Sequence, residues 1–321
     1  MGGSAVSALR RFIIDTDTGA DDAWAIAEAL CAANVARVEA ITTVCGNFPL
    51  ELCAKNALLT EEAVGTYFPP VFRGMEHPLL SQKSFAAYHV HGEDGLGGLH
   101  LPPPERKAEK KHAVQAIIDL VRENPGELEI VTIGPLTNIA MALLLAPDLA
   151  RSIRKLWILG GSAGICGNLT EYAEYNVGSD PEAAEIVLQS GADAVWVTLD
   201  TTRGSTEITP DEVERLLACS SPAGRFCALA TRQLRRFYAG LRGGGETYGV
   251  VDSLAVTAAL YPEIMTNTVR VKCRVELHDA ARRGYFHFDT AAEERNALLC
   301  TAVDAALFKK RMYRLLGAGN E

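Results

Sequence analysis

Short apolar runs recur along the first two thirds of this chain, and helix-sized segments separate them. The runs are residues 11–17 (RFIIDTD), 37–46 (RVEAITTVCG), 127–134 (ELEIVTIG), 155–161 (KLWILGG) and 192–200 (ADAVWVTLD). They are rich in β-branched and aromatic residues and are bounded by Gly or Asp. Between them lie candidate helices at 21–33, 50–64, 107–123, 136–146 and 181–190. Strands that alternate with helices build a parallel sheet, because each parallel pair needs a crossover and the helices supply it. Near-continuous apolar strands fit a sheet covered on both faces. The expected fold is therefore α/β: a mostly parallel, doubly wound open sheet flanked by helices, in a single domain over 10–318, with a short extension at 1–9.

Two stretches interrupt the rhythm. Residues 75–106 are rich in Gly, His and Pro and read as a long functional loop. Residues 237–250 hold a Gly triplet between two predicted helices and read as a mobile lid. Patterning of the α/β kind resumes after each stretch, and the chain reads as one domain with an appended C-terminal region.

The formal net charge of −9 argues against a nucleic-acid partner, whose backbone selects a basic surface. No apolar run is long enough for a membrane span. The N-terminal basic pair Arg10-Arg11 follows a mild apolar stretch, the reverse order of a secretory signal. Eight cysteines without a C-x-x-C pair, mostly in apolar surroundings, are expected to be reduced core thiols of a cytoplasmic protein.

The first strand ends in an unusual way. Asp15, Asp17, Asp21 and Asp22 fall within eight residues, where a strand should stop and a helix begin. In a doubly wound sheet, ligands bind at this end of the strands. One or two carboxylates suffice as helix caps. Four would repel one another and raise their pKa values unless a cation joins them. Ca²⁺, with about six to eight oxygen ligands, suits such a set. A competing reading comes from the haloacid-dehalogenase-like phosphatases, where a similar strand end would make Asp15 a nucleophile assisted by Mg²⁺. The pair Asp21-Asp22 has no place in that scheme.

The stretch DTDTGADDAWAI (15–26) resembles the signature of the nucleoside hydrolases, the inosine–uridine-preferring family of N-ribohydrolases, with Thr18 where Pro is most common. The resemblance continues in order through AITTVCGN (40–47), HGEDGLGG (91–98), VTIGPLTNIAMAL (131–143), GNLTEYAEYNVGSDPEAAEIV (167–187) and VVDSLAVTAALYPEI (250–264). It implies a hydrolase that splits the N-glycosidic bond of ribonucleosides. It implies Ca²⁺ held by Asp17, Asp22, Asp252 and the carbonyl of Ile133, with Asp17 as the base that activates water. It further implies a ribose held by Asp21, Asn47, Asn168, Glu174 and Asn176. Asp252 could equally cap the helix expected at 253–260, and Asp180 reads as a cap before Pro181.

The leaving base is served differently here. In the inosine–uridine group a His precedes the last metal aspartate; this chain has Val251. Proton donation is then expected from His91 or from the lid tyrosines Tyr238 and Tyr248, with Tyr88, His89 and Tyr238 available to stack on a base. A purine gains more than a pyrimidine from stacking and ring-nitrogen protonation, so purine ribonucleosides are the expected substrates. Trp24, Trp157 and Trp196 are assigned to the core. A homodimer or homotetramer is expected. A nucleoside-binding protein that has lost catalysis is the non-enzymatic alternative, kept open by Val251.

Overall fold

Strand β1 (Arg10–Thr16) sets the sheet: Phe12 and Ile14 enter one apolar cluster and Ile13 another, the period-two signature of a strand covered on both faces. The computed structural model describes residues 9–81, 85–241, 243–245 and 247–319. The proposed extension therefore lies almost wholly outside the described residues.

Among the described residues, nine strands form one sheet. After β1 come β2 (Ala36–Thr43), β3 (Val71–Arg73), β4 (Leu128–Thr132), β5 (Lys155–Leu159), β6 (Ala194–Val197), β7 (Met265–Val275), β8 (Phe286–Asp289) and β9 (Ala297–Val303). Their order is β3-β2-β1-β4-β5-β6-β9-β7-β8. Every pair from β3 to β9 is parallel, while β7 runs antiparallel to β9 and β8 to β7. The α/β expectation holds, with an antiparallel edge added.

Helices Ala20–Cys31, Leu50–Val64, Pro222–Ala230, Val251–Leu260 and Ala305–Leu315 contribute to one apolar cluster. Helices Ala113–Glu123, Thr137–Leu145 and Pro181–Gln189 contribute to the other. Trp24, Trp157 and Trp196 are buried as expected. All eight cysteines are free thiols, though Cys166 is exposed. Among the described residues no helix is long and apolar enough to cross a membrane.

Three sequence expectations shift. The helix expected at 107–123 begins only at Ala113, because Glu109 pairs along β3 through its N–H to the Val71 carbonyl at 2.7 Å. His112 then caps the helix, its Nδ1 accepting from Val114 N at 3.3 Å. The C-terminal region is no appendage: β7 and β9 extend the main sheet. Residues 266–268 of β7 are exposed, but VRVKCRV (269–275) alternates, with Val271, Cys273 and Val275 buried, so the strand was marked in the sequence.

The 237–250 segment is also different from the expected lid. Helix Arg232–Leu241 runs into it, and Tyr248 at its far end is fully buried. The Tyr248 backbone bridges to Ile208, and its hydroxyl shares a 3.0 Å hydrogen bond with Thr231 Oγ1. Tyr248 is thus a core residue and is removed from the candidate proton donors. Within 75–106, the loop after His91 is ordered by Asp94, whose carboxylate accepts from the N–H groups of Leu96, Gly98 and His100.

Candidate active site

The chain runs outward from β1 through β2 to β3, then returns to place β4 on the other side of β1. Loops leaving β1 and β4 therefore diverge, and the crevice between them is where open α/β sheets take ligands. The aspartates sit at this reversal.

Asp17 follows the end of β1. Its Oδ2 accepts the Asn47 N–H at 2.6 Å, while its Oδ1 is buried with no hydrogen-bond partner. Two glycines make room for this carboxylate. A β-carbon at Gly46 would stand 2.1 Å from Asp17 Oδ2, and one at Gly134 would stand 2.9 Å from Oδ1. Asp22 lies in the first turn of helix Ala20–Cys31, where Oδ2 accepts from Gly19 N at 2.8 Å and Asn47 Nδ2 at 3.2 Å. Its Oδ1 accepts from Thr16 Oγ1 at 2.6 Å.

Asp252 arrives from the far end of the chain, in the first turn of helix Val251–Leu260. The N-cap there is Val250, not Asp252. Ligand oxygens of Asp21, Asp22 and Asp252 lie within 4.8 Å of one another. All are buried, and burial is the main cause raising each pKa, reinforced at Asp17 and Asp252 by the neighbouring aspartates. Asp21 is pushed up to about 6. Buried like charges, with Asp17 Oδ1 and Asp21 Oδ1 lacking hydrogen-bond partners, are what a hard cation would satisfy. The donor set fits a metal.

The Ile133 carbonyl follows β4, and its N–H donates to the Asp15 carbonyl at 2.8 Å. Asn176 Nδ2 reaches both that Ile133 carbonyl, at 3.2 Å, and the Leu159 carbonyl, at 3.1 Å. Glu174 caps helix Tyr175–Ser179; its carboxylate accepts from the N–H groups of Asn176, Val177 and Gly161. These bonds fix a buried acid at the rim of the crevice. Asp17, Asp21, Asp22, Asn47, Ile133, Asn176 and Asp252 form one contiguous group, with Glu174 joined through Asn176.

Asn168 and Tyr238 lie outside it. Asn168 is exposed, and its Oδ1 accepts from Tyr175 N at 2.8 Å. Tyr238 is half-buried on helix Arg232–Leu241, with its hydroxyl 3.3 Å from where a Gly249 β-carbon would stand. That places it beside the segment leading to Asp252. Tyr88 packs edge-on against Phe48, and His89 against Phe237.

His91 differs from a typical loop histidine. It is buried, its Nδ1 accepts from Ala20 N at 3.3 Å and stands 3.6 Å from Asp21 Oδ1. Burial lowers its pKa to about 4, despite the opposing charge of Asp22. The ring is neutral at pH 7, with Nε2 bearing the hydrogen. It can donate a hydrogen bond but holds no spare proton.

Asp15 is enclosed. Its Oδ1 accepts from Thr42 Oγ1 at 2.6 Å and Asn138 Nδ2 at 2.8 Å, and burial raises its pKa to about 7. Such a caged carboxyl is unsuited to attack phosphorus. Asp180 caps helix Pro181–Gln189 as expected, its Oδ1 accepting from Ala183 N at 3.1 Å.

Four contributors escaped the sequence reading: Thr16, Thr42, Asn138 and Tyr175. The Tyr175 hydroxyl donates to the Phe85 carbonyl. Burial first, and the charge of Asp17 next, raise its pKa, so it lies near the acids. Its place between Glu174 and Asn176 was the available signal.

Fold and site together define an α/β protein with a buried acidic cluster that could hold a metal. The chain belongs to the inosine-uridine preferring nucleoside hydrolase family, whose family model matches residues 12–310, and whose members act on N-glycosyl bonds. It is similar to uridine nucleosidase 1 of Arabidopsis thaliana, at 34% identity over 82% of this chain and 78% of that one. Its structure resembles a plant nucleoside hydrolase with a TM-score of 0.91 and 30% identity, over 96% of this chain and 99% of the other. A purine-preferring ribonucleoside hydrolase from Gardnerella vaginalis matches with a TM-score of 0.88 and 31% identity, over 96% and 99%. The phosphatase alternative falls with this membership and with the caged Asp15.

Proposed function

We propose that this chain hydrolyses the N-glycosidic bond of ribonucleosides with Ca²⁺ as its metal, and that it prefers purine ribonucleosides. The carrying observation is the set of buried carboxylates at the β1–β4 crevice, with Asp17 Oδ1 and Asp21 Oδ1 left without hydrogen-bond partners. Asp17, Asp22, Asp252 and the Ile133 carbonyl would hold the ion, and an all-oxygen set favours Ca²⁺. When bound, it would acidify a coordinated water and anchor ribose hydroxyls.

The protein's own groups do the rest. Asp17 Oδ1 takes the water's proton. Asp21, Asn47, Glu174 and Asn176 supply acceptors and donors for ribose hydroxyls, with Glu174 pinned by three backbone N–H groups. Asn168 would join them only by moving in from its exposed place. Positive charge that develops on the ribose is stabilised by the surrounding buried carboxylates. Val251 offers the departing base no proton. Stacking on Tyr88, His89 or Tyr238 would favour the larger rings of a purine.

A panel of common ribonucleosides tests the preference. Purine ribonucleosides should show the higher kcat/KM; faster cleavage of uridine or cytidine would overturn it, a real alternative given the Arabidopsis relative.

His91 has its own test. His91→Ala should lower kcat on inosine about tenfold more than on p-nitrophenyl riboside, the worth of one hydrogen bond to a departing base. The nitrophenolate leaves without such help. Equal losses would assign His91 to propping the helix N-terminus through Ala20.

A further inference from the structure

The acid cluster is split between two helices. Asp21 and Asp22 belong to Ala20–Cys31, Asp252 to Val251–Leu260, and the two helices pack directly against each other. Alanines recur on both partners, among them Ala23, Ala27, Ala255 and Ala259, all fully buried. Small side chains permit close approach but interlock weakly along the axis. A slip of one residue moves a helix by about 1.5 Å. That is a large fraction of the 4.8 Å within which the three acids must keep their oxygens.

Glu28 crosses this contact, and its carboxylate bonds Ser253 and Thr257 rather than the acids themselves. It is fully buried. Ser253 Oγ donates to its Oε1 at 2.5 Å, and Thr257 Oγ1 donates to its Oε2 at 2.8 Å. On its own helix Glu28 lies seven residues after Asp21, two turns along the same face and about 10 Å away. On the facing helix Ser253 directly follows Asp252, and Thr257 is one turn further. Two bonds to two turns resist both sliding and rotation.

The residue type is costly in such a place. Burial pushes the Glu28 carboxyl up to about 8, against the two hydroxyl donors that favour its charge. An apolar residue of similar size would avoid the desolvation cost but would carry no directional bond.

We propose that Glu28 is a positioning residue for the metal cluster: tied to Ser253 and Thr257, it holds the helix of Asp21 and Asp22 in register with the helix of Asp252. The inference rests on the reading that this cluster binds Ca²⁺. Groups that orient metal ligands from behind typically carry about ten- to hundredfold in metal affinity.

Calorimetric titration of Ca²⁺ into the metal-stripped full chain tests it. Glu28→Leu should bind Ca²⁺ about tenfold or more weakly. It should still unfold cooperatively in chelator, and kcat should recover at saturating Ca²⁺. Glu28→Gln can accept from one hydroxyl and donate to the other, so it should bind within about twofold of wild type. If Glu28→Leu fails to fold, the double variant Ser253→Ala/Thr257→Val removes the same bonds from the other side and should show the same loss. Native Ca²⁺ affinity in either variant overturns the positioning role, as does a Glu28→Gln protein as impaired as Glu28→Leu. A wild-type chain that binds no Ca²⁺ overturns the metal reading itself, and this inference with it.

Discussion

Asp17→Asn should lower kcat by about three to four orders of magnitude, while Asp15→Asn should cost less than about tenfold. The two carboxylates are separated by a single residue, yet their surroundings assign them different work. Asp17 keeps one oxygen without a hydrogen-bond partner at the crevice, and asparagine there removes the proton acceptor and a metal-facing charge together. Asp15 also has an unpartnered oxygen, Oδ2, but Thr42 and Asn138 both hold its Oδ1, and burial raises its pKa to about 7. Asparagine is close to its protonated form in shape and keeps an acceptor for both donors. Single-turnover rates on inosine would measure both effects. Comparable losses would mean that Asp15 takes part in the chemistry, or that Asp17 only shapes the site.

Stripping the metal should abolish activity and lower the melting temperature by about 5 °C near neutral pH, for Ca²⁺ held at about a hundred times its Kd. The shift should shrink towards pH 5. Without a cation, Asp21 has a folded-state pKa of about 6, and Asp17 and Asp252 are raised well above their ordinary value. Each is near 3.8 when unfolded. The folded chain therefore binds more protons than the unfolded chain, and metal-free stability falls as pH rises from about 4 through the folded pKa values. Protons do at low pH what Ca²⁺ does at neutral pH. Melting curves at pH 5 and 7.5, with Ca²⁺ and with chelator, would show this crossover. A melting temperature indifferent to Ca²⁺ at both values would rule out a cation in the cluster.

Much of the molecule was legible locally. Helix Leu50–Val64 has its expected bounds because Pro49 opens it and Gly65, left-handed at φ 69°, closes it. Asp22 and Gly19 meet within three residues, so a helix start could be read beside a strand end. The parallel sheet followed from strands that are apolar along their whole length. These features depend on neighbours in sequence, which is where periodicity and capping act.

The rest depended on parts of the chain that never adjoin. Nothing near Asp15 says that Asn138 will cage it, and nothing near His91 says that burial will strip its proton. Tyr248 stands in a Gly-rich stretch that reads as a lid, yet its ring is drawn into the core beside Thr231. β7 alternates in VRVKCRV, yet its antiparallel place between β9 and β8 depends on partners distant in the chain. From sequence alone came the residue types and the strand end where they gather. Tertiary structure decided which partners each acid received and how strongly its neighbours' charges act on it, because burial and charge coupling depend on distances through space that chain order does not encode.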